Sequence, residues 1–255
     1  MSTATSSTDP MKPTPILPPE LPPILAFGAH PDDLEFGCGG VIANETRAGR
    51  AVHFIVCSEG ESASQGTPAE RRIEAANAAA ILGATLEFIQ LDGDAHLEIR
   101  AAHTLKLAAA IRRIRPGIVL APSLVENQHP DHSRLGHLVR DAARLARYGG
   151  VAELRELPAH TIGQLFYYAV TTEAEPRDIS PILLDISHPE VLANWTAAMA
   201  AHATQARARN YVELQLTRAR LLGLRAGVAQ AQALYPNDPP ILAALSQLGT
   251  SARRF

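Results

Sequence analysis

Apolar residues fall in short runs along the first half of the chain, and segments with helical character separate these runs. The first run, Ile24 to Ala29, directly follows a cluster of prolines. An uninterrupted apolar run of this length favours a strand buried on both faces of a parallel sheet. The pattern then predicts a helix from about Gly39 to Arg47, closed by Gly49, and a second strand from Val52 to Cys57. Together these elements form one β-α-β unit.

The alternation of strands and helices continues over about a hundred residues. Pro68 and Glu70 favour the start of a helix, whose alanine-rich body stops at Gly83. The following elements are a strand at Thr85–Leu91, a helix at Ala101–Arg115 and a strand at Ile118–Pro122. This order predicts an α/β fold with a doubly wound, mostly parallel sheet and helices on both faces. Ligands of such sheets bind beyond the carboxyl ends of the strands.

The second half of the chain has a looser pattern. It predicts a helix at Leu138–Tyr148, strands at Leu165–Val170 and Ile182–Ile186, a mostly helical stretch at Pro189–Gly227 and a short terminal helix at Ile241–Leu248. The last of these follows a turn-like segment that contains three prolines.

Composition narrows the class of protein. Residues 1–23 are rich in Ser, Thr and Pro and lack the pattern of a signal peptide, so we expect a flexible leader before one domain at residues 24–255. The formal charge of -3 argues against a nucleic-acid partner, and the lack of a long apolar run argues against a membrane partner. Two cysteines, Cys38 and Cys57, are too few for a disulfide framework, which favours the cytoplasm.

Two polar clusters follow two of the predicted strands. The first, His30-Pro31-Asp32-Asp33-Leu34-Glu35, places three carboxylates and one imidazole directly after the first strand. Carboxylates this close repel one another unless a cation neutralises them, so a bound metal would explain the cluster. The second cluster, His129-Pro130-Asp131-His132, comes a short loop after the strand that ends at Pro122.

Both clusters are expected to meet, because loops that leave the same ends of parallel strands converge on one crevice. One His and one Asp from the first cluster and one His from the second would give three protein ligands. Three ligands leave a fourth position open for water, which is typical of catalytic rather than structural zinc.

The residues of both clusters resemble the motifs of the PIG-L/LmbE-like N-acetylglucosaminyl deacetylases. The resemblance covers about residues 24–205 and includes Cys57-Ser58-Glu59-Gly60 and Leu183-Leu184-Asp185-Ile186-Ser187. Within that family the chain is most similar to the bacillithiol- and mycothiol-pathway deacetylases. The resemblance implies a Rossmann-like fold that binds zinc and removes acetyl from an N-acetylglucosaminide, such as N-acetylglucosaminyl malate.

Roles for single residues follow from the same resemblance. It implies that His30, Asp33 and His132 bind the metal and that Asp32 is the general base. It also implies that His129 faces the developing oxyanion. A base next to a ligand in sequence can reach a metal-bound water.

Asp131 and Arg71 have less direct predictions. Asp131 is the expected orienting partner of His129, by the logic that positions a histidine in a catalytic triad. Arg71 matches the substrate-binding arginine of the family, and a guanidinium there could bind sugar hydroxyls or a carboxylate. Arg72 is the alternative candidate for the substrate-binding arginine. If Arg71 has no role in binding, the alternative is an exposed ion pair between Arg71 and Glu74 along the helix.

Several alternatives remain open at the level of function. An amidase that cleaves a larger thiol-sugar conjugate would use the same site, and a noncatalytic metal-binding α/β module would keep only the ligands. Sites of two histidines and one carboxylate accept several metals, so Fe2+ is an alternative to zinc. We expect a homo-oligomer that binds a small N-acetylated amino sugar. Seven further histidines are expected to be surface or packing residues: His53, His96, His103, His137, His160, His188 and His202.

Overall fold

A computed structural model describes residues 21–126, 129–206, 210–249 and 251–252 of the chain. The strands are β1 (Ile24–Gly28), β2 (Val52–Val56), β3 (Thr85–Phe88), β4 (Ile118–Pro122), β5 (Gln164–Tyr168), β6 (Ile182–Asp185) and β7 (Ala231–Pro236). The α-helices are α1 (Asp33–Arg47), α2 (Pro68–Ile81), α3 (Ala101–Ile114), α4 (Pro130–Arg147), α5 (Pro189–Ala201), α6 (Ala203–Ala206) and α7 (Tyr211–Ala226). Most of the predicted leader, residues 1–20, lies outside the described residues.

The strands form one mixed sheet in the order β3-β2-β1-β4-β5-β7-β6. Five neighbouring strands, from β3 to β5, are parallel, whereas β7 pairs antiparallel with both β5 and β6. This architecture confirms the prediction of a mostly parallel α/β sheet. Strand β1 lies inside the parallel part, between β2 and β4, so the loop that follows it is flanked by the loops after those strands.

Alternate residues of β1 enter two different cores, which explains why its sequence is continuously apolar. Leu25 and Phe27 pack with α3 and α4 on one face of the sheet. Ala26 packs with α1, α2 and α5 on the other face. The helices therefore cover both faces, as predicted. No helix in the described part of the chain is both long enough and apolar enough to cross a bilayer.

The C-terminal region differs from the sequence prediction in two places. The segment Ala231–Pro236 forms strand β7, which the pattern did not predict because alanine and glutamine are weak strand formers. The predicted terminal helix at Ile241–Leu248 is wrong, since this segment has only a single 3-10 turn at Leu245–Gln247. Ile241 is 94% exposed. A helix this short without a packing surface gains too little to form.

Helix α1 begins at Asp33 rather than at Gly39, and its glycines allow aromatic rings to lie against its backbone. A methyl group on Gly37 would overlap the ring of Tyr168, and one on Gly39 would lie 2.7 Å from Cδ1 of Trp195. The Tyr168 hydroxyl donates a hydrogen bond to the carbonyl of Phe27 at 2.7 Å, which fixes the ring in place. These glycines therefore serve the packing of α1.

Replacement of Gly37 by alanine should destabilise the protein, although alanine is the better helix former. Overpacking of a filled core costs about 1–3 kcal/mol, which exceeds the gain of up to about 1 kcal/mol in helix propensity. Urea denaturation should show a lower midpoint for Gly37→Ala. The control is Gly150→Ala, because a methyl group there meets no atom within 4 Å. An unchanged midpoint for Gly37→Ala would show that the Tyr168 ring moves aside without cost.

Candidate metal centre

Loops at the carboxyl ends of four parallel strands converge on one site. The loop after β1 supplies His30, Asp32 and Asp33, and the start of α4, which follows β4, supplies His129 and His132. The loops after β2 and β3 also line the cavity over the site. The two clusters therefore meet at the edge of the sheet where the sequence placed them.

Three buried side chains point their ligand atoms toward one another. The Nδ1 atom of His30 lies 3.3 Å from Nε2 of His132, and Oδ1 of Asp33 lies 3.0 Å from the same Nε2 atom. His30, Asp33 and His132 form one of the groups of side chains in the described residues that could hold an ion. Ligands at tetrahedral zinc lie about 3.4 Å apart when each metal–ligand bond is about 2.1 Å. The spacing and chemistry of these three side chains therefore fit a divalent metal.

The Asp33 carboxylate is fixed by the backbone of the preceding loop. Its Oδ2 atom accepts hydrogen bonds from the N–H groups of Ala29 at 2.8 Å and His30 at 3.0 Å. Burial would raise the pKa of Asp33, but the nearby rings of His132 and His30 hold it well below its usual value. The carboxylate is thus kept ionised, with Oδ1 directed at the proposed metal position.

The opposite nitrogen of His30 faces two further carboxylates. Its Nε2 atom lies 3.1 Å from Oδ1 of Asp94 and 3.5 Å from Oδ2 of Asp131. Burial lowers the pKa of His30, but the carboxylates around it, with Asp33 the foremost, raise this pKa well above its usual value. A carboxylate behind a metal-binding histidine orients the ring and increases its basicity. Asp94 and Asp131 are placed for this role.

The carboxylate of Asp131 also anchors the neighbouring loop, because its Oδ2 atom accepts a hydrogen bond from the N–H of Ala95 at 2.8 Å. The sequence predicted that Asp131 orients His129. In the structure, Nε2 of His129 lies 3.3 Å from Oδ1 of Asp94, whereas Asp131 approaches His30. Asp94, His129 and Asp131 belong to one group of side chains whose ligand atoms lie within 4.8 Å of one another, so Asp94 is a second candidate for orienting His129 and the role of Asp131 stays a prediction.

Asp94 was missed by the sequence analysis. It is buried in the Asp92-Gly93-Asp94 loop after β3, and the rings of His129 and His30 hold its pKa below the usual value against the effect of burial. The available signal was an acidic loop after a third strand of the same parallel sheet. That signal was weak, because the loop lacks the His-Pro-Asp segment that marks the two clusters.

Asp32 lies at the start of α1 in a left-handed backbone conformation, with φ of 113°. This conformation costs of order 1–3 kcal/mol for a residue other than glycine, and such costs are concentrated at functional sites. It directs the side chain toward the cavity, where 18% of its surface is exposed. Burial raises the pKa of Asp32 to about 6, while the Arg71 charge opposes this rise and the Asp33 charge adds to it.

Arg71 lies behind Asp32. Its guanidinium donates hydrogen bonds to the carbonyls of Gly60 at 3.0 Å and Pro31 at 2.7 Å, and Nη2 is 3.5 Å from Oδ2 of Asp32. Arg71 also lines the cavity, and its predicted contact with substrate stays a prediction. Glu74 does not pair with Arg71, because its carboxylate accepts hydrogen bonds from Thr204. The alternative of a surface ion pair between Arg71 and Glu74 is therefore wrong.

His202 has a partner that the sequence did not indicate. Its side chain is fully buried, and its Nε2 atom lies 3.4 Å from Oε2 of Glu35 in helix α1. The carbonyl of Glu35 in turn accepts a hydrogen bond from Nε1 of Trp195. Glu35 therefore faces helix α5 and its C-terminal end, and neither contact involves a proposed metal ligand.

A cavity of about 420 Å³ opens over the three proposed ligands. Its lining includes Asp32, Asp94, His129 and Arg71, together with side chains of the loop after β2 and of helix α7. A candidate base, Asp32, and a candidate acid, His129, thus line one cavity together with the three proposed ligands. This arrangement can activate water and present it to a bound substrate.

Replacement of His132 by alanine should weaken zinc binding more than about 100-fold. Loss of a residue that only hydrogen-bonds to a metal ligand already lowers metal affinity by about 10–100-fold. Loss of a ligand itself should lower the affinity further. Equilibrium dialysis followed by elemental analysis measures the change. His137→Ala is the matched control, since His137 lies on the same helix and contacts Arg140. Equal zinc affinity in the His132 variant and the control would contradict the proposed ligand set.

Comparison with known proteins places these residues in a family. The model of PIG-L, described as a GlcNAc-PI de-N-acetylase, matches residues 25–143, which hold both clusters. The 4-oxalmesaconate hydratase of Pseudomonas putida is 34% identical over 138 residues, which cover 49% of this chain and 53% of the relative. The diacetylchitobiose deacetylase of Thermococcus kodakarensis is 32% identical over 161 residues, which cover 57% of this chain and 59% of the relative. This chain thus spans between half and two thirds of the length of these two curated relatives.

A solved structure extends the likeness to nearly the whole chain. A conserved protein of Thermus thermophilus matches with a TM-score of 0.78 and 30% sequence identity, covering 90% of this chain and 100% of that chain. The fold of this chain is therefore shared with that protein over the full length of that protein. The chain belongs to the PIG-L family.

Proposed function

We propose that the protein is a metal-dependent deacetylase that removes the acetyl group from an N-acetylglucosaminide. The observation that carries this proposal is the placement of three ligand atoms, from His30, Asp33 and His132, next to the Asp32 carboxylate in one cavity. The name of the Thermococcus kodakarensis relative, a diacetylchitobiose deacetylase, supports the same reaction class.

Zinc is the metal that we propose, because two imidazole nitrogens and one carboxylate are a common ligand set of catalytic zinc. When bound, such a metal acidifies a water molecule and polarises the amide carbonyl of the substrate. Asp32 would take the proton from that water. With a pKa of about 6 the carboxylate is ionised at neutral pH and still basic enough to accept a proton.

His129 would stabilise the negative charge that develops on the carbonyl oxygen and then donate a proton to the departing amine. Asp94 fixes the orientation of this ring through its contact with Nε2. Asp131 contributes through His30, whose second nitrogen it faces. Each of these groups acts from a loop at the carboxyl edge of the sheet.

The polar part of the cavity suits a sugar. Ser62, Ser64 and Gln65 line it from the loop after β2, and Asp94 lines it from the loop after β3. Hydroxyl, amide and carboxylate groups can exchange hydrogen bonds with the hydroxyls of a pyranose. We propose a small glycoside of N-acetylglucosamine as the substrate, and N-acetylglucosaminyl malate is a member of this class with a charged aglycone.

The direct test is release of acetate by zinc-loaded protein from defined substrates. N-acetylglucosaminyl malate, N-acetylglucosaminyl inositol and diacetylchitobiose form the panel, and a thiol-sugar conjugate with a larger amide tests the amidase alternative. We expect acetate from at least one member of the panel and none after chelation of the metal. A preparation that contains zinc and releases no acetate from any of them would refute the proposal.

Replacement of Asp32 by asparagine should lower kcat by about 10²–10⁴-fold, which is the usual contribution of a positioned general base. Zinc content should persist, because Asp32 is not among the three proposed ligands. Asp141→Asn is the control, since Asp141 is an exposed aspartate of helix α4 whose carboxylate lies near Arg140 and Arg144. A variant at position 32 with unchanged kcat would remove Asp32 from the proposed mechanism.

Hydration of a carbon–carbon double bond is a second candidate reaction. It is favoured by the likeness to the 4-oxalmesaconate hydratase of Pseudomonas putida, which is 34% identical to this chain over 138 residues. Activated water and a base next to it would serve either reaction. Incubation with 4-oxalmesaconate separates the two candidates, because hydration consumes that compound without release of acetate.

A further inference from the structure

Part of the cavity wall is apolar, and the proposed deacetylation does not account for it. Four side chains form this apolar wall: Phe36, Val170, Tyr211 and Leu214. The rings of Phe36 and Tyr211 lie against each other with centroids 5.8 Å apart. Leu214 remains 50% exposed although it lines a concave surface.

The apolar wall has a different structural origin from the polar part of the cavity. Ser62, Ser64, Gln65 and Asp94 come from loops after β2 and β3, on one side of β1 in the sheet. Val170 follows β5 on the other side of β1, and helix α7, which carries Tyr211 and Leu214, leads into β7 on that same side. Thr171 and Gln215, which follow Val170 and Leu214 in sequence, also line the cavity, so this side combines the apolar wall with polar groups. Among the described residues, the loops after β2 and β3 contribute no apolar side chain larger than alanine to the lining.

A single exposed leucine needs no special explanation, because much of any protein surface is apolar. The apolar wall does need an explanation, because its four side chains come from three segments of the chain and line one cavity beside the proposed metal centre. Concave sites lined by apolar groups, with a few polar groups that fix orientation, are typical of ligand-binding pockets. The apolar wall is thus placed to remove an apolar group of a substrate from water.

We propose that the substrate carries an uncharged apolar substituent next to the amino sugar, and that the apolar wall binds this substituent. The proposal rests on the deacetylase function proposed above and specifies the substrate class of the same site. The substituent could be the aglycone or a longer N-acyl chain. Both present the same aliphatic surface to the wall, so the choice of substrates must distinguish them.

Three synthetic substrates provide the test: methyl N-acetylglucosaminide, butyl N-acetylglucosaminide and methyl N-pentanoylglucosaminide. The last two each add three methylene groups to the first, at different ends. We expect one of them to have a roughly tenfold higher kcat/KM than the methyl N-acetyl compound, since the wall covers the added methylenes on one side. A gain with the butyl glycoside assigns the wall to the aglycone, and a gain with the pentanoyl amide assigns it to the acyl chain.

Leu214→Gln should bring that ratio of kcat/KM values close to one, because glutamine keeps the size and the helix propensity of the side chain but removes its apolar surface. Leu221→Gln is the matched control on the same helix, since Leu221 is 59% exposed and does not line the cavity. The Leu221→Gln variant should keep the higher kcat/KM for the substrate with the added methylene groups.

The outcomes separate this proposal from the function on which it rests. Equal kcat/KM for all three substrates would overturn the apolar-substituent proposal and leave the deacetylase function intact. A preference that survives Leu214→Gln would remove the apolar wall as its cause. Absence of acetate or pentanoate from every substrate, including the panel of natural glycosides, would overturn the deacetylase function itself.

Discussion

The arrangement of the site depends on one buried carboxylate, that of Asp33. Two backbone N–H groups of the loop after β1 hold its Oδ2 atom, while its Oδ1 atom faces His132. A buried anion is costly unless it is paired. The two backbone N–H groups compensate the buried charge of Asp33 at Oδ2. The imidazole of His132, together with the metal that we propose, compensates it at Oδ1. The same loop that fixes Asp33 also fixes His30, so two of the three proposed ligands share one rigid support.

The conformation of this loop separates two adjacent aspartates by role. Both aspartates line the cavity, but Asp33 is buried with its Oδ2 atom held by the backbone, whereas Asp32 adopts a positive φ and keeps 18% of its side chain exposed. Burial of Asp32 favours its neutral form, and Arg71 opposes this effect. Arg71 is itself held by two carbonyls, so its charge stays beside the base. Arg71 and the Pro31 carbonyl that it contacts thus support the strained residue, and strain of this kind persists only where the surrounding structure holds it.

The parallel part of the fold and the convergence of both clusters were predictable because each depends on local sequence. Apolar runs specify buried strands, and one His-Pro-Asp segment follows the first of them directly while the other comes a short loop after the fourth. The contacts of Asp94 and His202 were not predictable, since each side chain meets its partner only after distant segments pack together. Strand β7 was missed for a similar reason. Its weak propensity is overridden by pairing with β5 and β6.

We expect the chemistry and the recognition of an apolar substituent to be carried by different parts of this chain. The family match ends at residue 143 and includes the proposed ligands, Asp32, His129 and the polar side of the cavity. Three of the four residues of the apolar wall, Val170, Tyr211 and Leu214, lie beyond that match. Relatives whose names specify a hydratase and a deacetylase resemble this chain to a similar degree. A common water-activating centre can serve both if the remaining walls select the substrate, since function depends on the site and not on the fold. The C-terminal part of the chain is therefore where we expect its specificity to be determined.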